Sequence, residues 1–186
     1  MKEFIFLRHG ATQGNREGRY VGATDEPLSP EGRAALAGCA PPPADRLYVS
    51  PLRRCRESAA LLYPDLDPIP VEGFRECRFG EFEYKNHQEL SADPRYQAWI
   101  DSGGLLPFPG GEDREAFCAR CRAAFQALLD GPWEGRAALV VHGGTIMAIL
   151  SGFARPRRDY FDYQVKNGHG YVCRQAGGGL AVISTL

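Results

Sequence analysis

Arg8 and His9 follow directly on the apolar run Phe4-Ile5-Phe6-Leu7, with Gly10 behind them. A short buried strand that ends this way delivers two basic side chains into a polar loop. Further basic groups stand in the same kind of place. The Arg53-Arg54 pair comes just beyond Leu47-Tyr48-Val49, and His142 just beyond the stretch from Ala137 to Val141. In a chain whose formal net charge is only −1, such a gathering needs a counter-charge. A small dianion such as phosphate is the natural one, because the planar guanidinium fork matches its oxygens two at a time. A neutral histidine adds a reaction: one ring nitrogen can attack phosphorus while the other is held as a donor. Gly143-Gly144-Thr145 opens a helix after His142, and its free amides add to an anion site.

Strands and helices must bring these side chains together. Residues 3–8 read as a buried strand. Ser29-Pro30-Glu31 starts a helix that ends near Gly38, with a cap, a proline at the first position and an acid in the first turn. Leu47–Val49 is a second strand, and Ser50-Pro51 is expected to cap a helix reaching Tyr63. A short strand is predicted at Ile69–Val71, and one or two short helices over Asn86–Ile100, broken at Pro94. Glu112 to Asp130 reads as a long helix with Phe117, Cys121, Phe125 and Leu128 on one stripe. A buried strand at Ala137–Val141 precedes a helix from Gly143 to Leu150, closed by Gly152. Gly170–Arg174 and Leu180–Ser184 are the last strands.

This alternation predicts an α/β three-layer sandwich, with a mostly parallel central sheet flanked by helices. Ligands bind such sheets beyond the carboxyl ends of the strands. Arg8, His9, the Arg53-Arg54 pair and His142 all fall there.

With 186 residues, 44% of them hydrophobic, the chain is read as one domain over 1–186 with a lid-like insertion at about 84–111. A pI near 6.4 argues against a general nucleic-acid binder. MKEFIFL is too short in apolar residues for a signal peptide, and no uncharged apolar run approaches the roughly 18 residues of a membrane span. The expectation is a cytoplasmic protein, monomer or homodimer, without nucleic-acid or membrane partners. The six cysteines form no disulfide-like framework. Cys118-Ala119-Arg120-Cys121 lacks the second pair or the histidines of a zinc site and lies inside a helical pattern, so its thiols read as packing.

Leu7–Asn15, LRHGATQGN, resembles the L-R-H-G-x-T-x-x-N signature of the histidine phosphatase (phosphoglycerate-mutase-like) superfamily. Further blocks follow in the family's order. Gly22-Ala23-Thr24-Asp25-Glu26-Pro27-Leu28-Ser29 is similar to G-x-x-D-x-P-L-S/T, and Ser50-Pro51-Leu52-Arg53-Arg54-Cys55 to S-P-L-x-R-A. The stretch from Phe74 to Glu83 resembles L-x-E-x-x-F-G-x-W-E, while Pro109–Glu112 and Val140–Gly144 match the remaining blocks.

The resemblance implies a phosphomonoesterase that works without a metal or cofactor on a small phosphorylated metabolite. His9 would be the nucleophile, and Arg8, Arg54 and His142 would hold the phosphoryl oxygens. Guanidinium and imidazolium groups would supply the positive charge. Glu76 would be the proton donor; Glu83 is its rival, because several acids crowd this segment. Asn15, Gly22 and the Gly143 amide are expected to complete the phosphate cradle, and Glu112 to support the substrate site.

The chain departs from the pattern at Tyr84, where glycine is common, and at Cys55, which replaces alanine and reads as neutral packing. Only about 65 residues separate Glu76 from His142. That compactness looks like the phosphatase branch that includes α-ribazole phosphatases, rather than a mutase with a longer closing insertion. Cofactor-dependent phosphoglycerate mutase is the alternative within the family. Outside catalysis, the alternative is a phosphate-binding or interaction module on an inactive fold, although such modules typically lose the nucleophile or the acid. Tyr96 and Trp99 read either as an aromatic wall for a base-bearing substrate or as lid packing.

Overall fold

The apolar run at the start of the chain is buried because Lys2–Arg8 (β1) is the middle strand of a seven-stranded sheet. A computed structural model describes residues 1–186. The other strands are Arg46–Val49 (β2), Pro68–Pro70 (β3), Gly135–Val141 (β4), Ala154–Arg155 (β5), Gly170–Ala176 (β6) and Gly179–Thr185 (β7). Their order is β3-β2-β4-β1-β6-β7-β5. β1 pairs in parallel with β4, and β2 in parallel with both β3 and β4, while β6 runs antiparallel to β1 and β7. The sheet is mostly parallel, as its sequence pattern predicts.

Helices cover both faces. In chain order they are Gln13–Arg16 (α1), Pro30–Ala37 (α2), Arg53–Leu62 (α3), His87–Leu90 (α4), Pro94–Asp101 (α5), Arg114–Asp130 (α6) and Gly143–Phe153 (α7). Alternate residues of β1 serve opposite layers. Phe4 and Phe6 join Phe117, Cys121 and Phe125 of α6 and Ile146 and Ile149 of α7 in the larger core. Ile5 and Leu7 meet Leu36 of α2 and Ala59 and Leu62 of α3 in the smaller one. Lys2 lays its ammonium on the last carbonyls of α6, including Gly131 O at 2.7 Å, where a cation suits the negative helix end.

Several boundaries differ from the sequence reading, each for a local reason. Asp113 caps α6 by accepting from the Ala116 amide, which leaves Glu112 outside the helix. Leu52, not Ser50, is the N-cap of α3, and no side chain caps it. α7 runs through Gly152 to Phe153 and stops where Ala154 turns extended, with φ −68° and ψ 146°. β3 is shifted to Pro68–Pro70, and its prolines suit a sheet edge. The loop after β1 contains the single turn α1, closed by a capping box between Thr12 and Asn15.

Candidate active site

β1, β2 and β4 lie side by side in parallel, so their carboxyl ends open on one crevice. The His9 amide donates to Val141 O at 3.0 Å, extending the β1–β4 ladder by one residue. His9 and His142 are thereby neighbours, with ring centroids 5.2 Å apart and planes inclined by 68°. Both are buried. His9 Nδ1 lies 2.7 Å from Gly10 O, which as an acceptor requires the proton on Nδ1 and leaves the Nε2 lone pair free. Burial, then the charges of Arg54 and Arg8, hold His9 well below the usual histidine range, which favours the neutral imidazole. Burial and the same arginines act on His142 too. In the surroundings the protein itself supplies, this favours the neutral form of His142, and the fixed positive charge comes from the guanidiniums.

Arg54 is completely buried. It donates to Thr24 O (2.8 Å), Gly22 O (2.9 Å) and Val21 O (3.2 Å), carbonyls of the loop that follows α1. Arg8 donates to Val165 O at 2.8 Å. The Nε of each guanidinium is buried without a partner. Two adjoining buried donors left unpaired are costly unless an anion completes them.

Glu76 lines the same cavity. Its carboxylate accepts from the Cys77 amide at 2.9 Å and the Gly144 amide at 3.4 Å. Burial raises its pKa, against the opposing pull of the Cys77 amide, Arg54, Arg8 and the Gly144 amide. A carboxyl so placed keeps its proton to higher pH than an exposed glutamate, as a general acid requires.

Arg8, Asn15, Glu76, Gly143 and Gly144 border a cavity of about 800 Å³. Its outer wall is aromatic and includes Tyr20, Phe79, Trp99, Phe108 and Tyr160.

Residues 4–185 match the profile of the Histidine phosphatase superfamily (branch 1). The chain belongs to the histidine phosphatase superfamily. It is 30% identical over 164 residues to 2,3-bisphosphoglycerate-dependent phosphoglycerate mutase 2 of Gloeobacter violaceus, covering 81% of this chain and 74% of that one. The adenosylcobalamin/alpha-ribazole phosphatase of Escherichia coli is 26% identical over 157 residues, with 78% and 75% covered. In fold, the crystal structure of the alpha-ribazole phosphatase from Shigella flexneri matches with a TM-score of 0.84 at 21% identity, over 97% of this chain and 94% of that one. Membership in this superfamily supports phosphatase or mutase chemistry.

Within this histidine phosphatase fold, Arg8, His9, Arg54, Glu76 and His142 converge, and Asn15 and Gly143 border the same cavity. Other residues named from the sequence lie elsewhere. Gly22 is not in the cavity wall: its amide donates to Glu83 Oε1 at 2.8 Å and its carbonyl accepts from Arg54. Glu83 also accepts from the amide and hydroxyl of Thr24, so it anchors the loop beneath Arg54 rather than facing the cavity. Glu112 grips Arg120 through both oxygens, at 2.8 and 2.9 Å, instead of reaching the cavity. Arg120 in turn donates to the carbonyls of Gly73, Arg75 and Glu76, which fixes the backbone that carries Glu76.

Tyr96 and Trp99 part company. Trp99 faces the cavity, whereas Tyr96 is buried with its hydroxyl bonded to Tyr20 and His87. Tyr84 has a φ of 59°, the left-handed region where glycine is the easier choice. Its hydroxyl donates to Glu26 at 2.9 Å, which anchors it there. Cys55 packs in the smaller core, with its sulfur 3.5 Å from His142 Nε2 and 3.7 Å from Nδ1.

Sequence reasoning missed Arg120, hidden inside the Cys-x-x-Cys spacing. It missed Asn167 as well, which donates to His9 O at 3.0 Å and Asn15 Oδ1 at 3.1 Å from a loop without a motif.

Proposed function

We propose that this protein is a metal-independent phosphomonoesterase acting through a phosphohistidine on a small phosphorylated metabolite. The observation that carries the reading is the pair of unpartnered buried Nε groups of Arg8 and Arg54 beside a neutral His9 whose Nε2 is free. His9 Nε2 attacks phosphorus in line as the bond to the leaving oxygen breaks, and Glu76 gives that oxygen its proton. Arg8, Arg54, His142, Asn15 and the Gly143 amide hold the other oxygens as charge spreads over them. Water then attacks phosphorus and passes a proton to the Glu76 carboxylate, and the P–N bond breaks to return free His9 and phosphate.

The cavity supports a ring-bearing alcohol as leaving group, because Trp99, Tyr20, Phe79 and Tyr160 offer aromatic surface that a three-carbon acid would not use. α-Ribazole 5′-phosphate is a substrate of that description. Residues 84–111, with α4, α5 and the aromatic contacts of Trp99 and Phe108, form the lid of a single domain. The six free thiols suit a reducing compartment such as the cytoplasm. The relationship to a phosphoglycerate mutase makes isomerisation the competing reading.

Wild-type protein quenched during turnover of p-nitrophenyl phosphate should yield an acid-labile, base-stable phosphohistidine, and a chelator should leave the rate unchanged. His9→Ala should form no phosphoenzyme and lose turnover; near-normal activity in that variant would overturn the reading. Given 3-phosphoglycerate and catalytic 2,3-bisphosphoglycerate, the enzyme should release phosphate, whereas rapid isomerisation would make it a mutase.

A further inference from the structure

Ser50 stands at the carboxyl end of β2 with no exposed surface. Its Oγ lies 2.7 Å from His142 Nε2, a contact across 92 residues of sequence. A hydroxyl has one proton and two lone pairs. The Leu52 amide approaches Oγ at 3.5 Å and takes a lone pair. With that side occupied by a donor, the Ser50 proton has one strong acceptor nearby, the lone pair of Nε2.

The Cys55 sulfur lies 3.5 Å from Nε2 and 3.7 Å from Nδ1, so this weakly polar atom selects neither nitrogen, and Nδ1 has no other hydrogen-bond partner in the protein. A neutral imidazole can turn either a lone pair or an N–H toward an anion. The first repels phosphoryl oxygens and the second binds them, so the tautomer decides what His142 contributes.

We propose that Ser50 is a positioning residue: its hydroxyl donates to His142 Nε2, keeps the ring proton on Nδ1, and makes His142 a hydrogen-bond donor to the transferred phosphoryl group. The inference rests on the phosphoryl transfer described above. It gives the two histidines the same tautomer by different means, since Gly10 O accepts from Nδ1 of His9 while Ser50 fills Nε2 of His142. The rings then do opposite work. His9 presents its lone pair to phosphorus, and His142 presents its proton to an oxygen.

The test is nitrogen NMR of protein labelled with 15N-histidine, in the presence of inorganic phosphate, with His142 assigned from the signal lost in His142→Gln. Wild type should show His142 protonated on Nδ1 and unprotonated on Nε2. Ser50→Ala should shift the proton toward Nε2 or give a mixture. Ser50→Thr, which restores the hydroxyl, should restore the wild-type pattern, and Cys55→Ala should keep it. In parallel, Ser50→Ala should lower the rate of phosphoenzyme formation by about 10- to 100-fold, the range for lost support of a functional side chain, with Ser50→Thr recovering most of it. A proton on Nε2 in wild type, an unchanged tautomer in Ser50→Ala, or a tautomer that follows Cys55 instead would each overturn the proposal. The tautomer is read without turnover, so its failure is separate from a failure to form phosphoenzyme, which would bring down the phosphatase reading.

Discussion

The Nδ1 of His9 lies 2.7 Å from the carbonyl oxygen of Gly10, the next residue along the chain. That carbonyl is not free to wander. The Gly10 amide donates to Ser58 Oγ at 2.9 Å, and the Ser58 hydroxyl donates to Arg54 O at 2.6 Å. The turn that orients His9 is therefore bonded to the helix that carries the fully buried Arg54. Misplacing one would misplace the other, which is how a site keeps near-attack geometry through thermal motion.

Glu76 and Glu83 should separate cleanly. Glu76→Gln keeps its shape but has no proton to give, so hydrolysis of alkyl phosphates should slow by roughly 100- to 10,000-fold. Aryl phosphates, whose leaving group needs little help, should lose less in the first step and accumulate phosphoenzyme. Glu83→Gln should act mainly on thermal stability, by loosening Gly22 and Thr24. Steady-state rates on both substrate types would check this, and the reverse ranking would move the acid to Glu83.

Gly144→Ala tests how closely the α7 backbone approaches Glu76. A Cβ there would sit 2.3 Å from Glu76 Oε1 and 3.1 Å from the Phe117 ring. The carboxylate is the end of a flexible side chain and can swing away, so activity should fall by about 10-fold or more, the scale for a displaced catalytic group. Stability should change less. Paired kcat and urea-midpoint measurements would check it; unchanged kcat would mean that the carboxylate position is not critical.

Arg120→Met should weaken both stability and rate. It leaves the buried Glu112 carboxylate without its charge partner and frees three carbonyls beside Glu76. A loss of about 3 kcal/mol is expected for breaking such a pair. The fall in kcat should exceed any rise in KM, because the segment carries Glu76 and not the aromatic wall of the cavity. Denaturant titration and kinetics at matched temperature would show it.

Stability should fall on mild acidification. His9 and His142 have pKa values well below 6.5 in the folded chain, with burial the largest cause for each. Below pH 6.5 the unfolded chain takes up protons that the folded chain refuses, so the native state loses ground as pH drops. Glu76 works in the opposite sense above 4.5, because its folded pKa is raised and the native state binds the extra proton. Thermal midpoints between pH 7 and pH 5 should therefore drop less steeply in His9→Gln and His142→Gln, and more steeply in Glu76→Gln.

Much of this molecule was legible in its residues. The uninterrupted apolar runs of β1 and β4 mark central strands, and basic residues at their carboxyl ends mark the crevice. Ser29-Pro30 marks a helix start by local geometry alone, and the ordered blocks from Leu7 to Gly144 mark the family. Such features are short-range, so they survive in the sequence as written.

Tertiary structure decided what long-range packing controls. Ser50 reads as a helix cap, yet the parallel β2–β4 pairing sets its hydroxyl against His142. Glu112 reads as support for the substrate site, yet the fold gives it Arg120. Among several acids in one segment, only Glu76 reaches the Gly144 amide beneath the cavity, because the α7 N-terminus packs there. Tyr96 and Trp99 sit three residues apart on one helix, yet one is buried behind Tyr20 and the other lines the cavity. Each of these partners is brought in by a crossover or a packed layer, and local composition does not encode which of several equivalent side chains that packing will enclose.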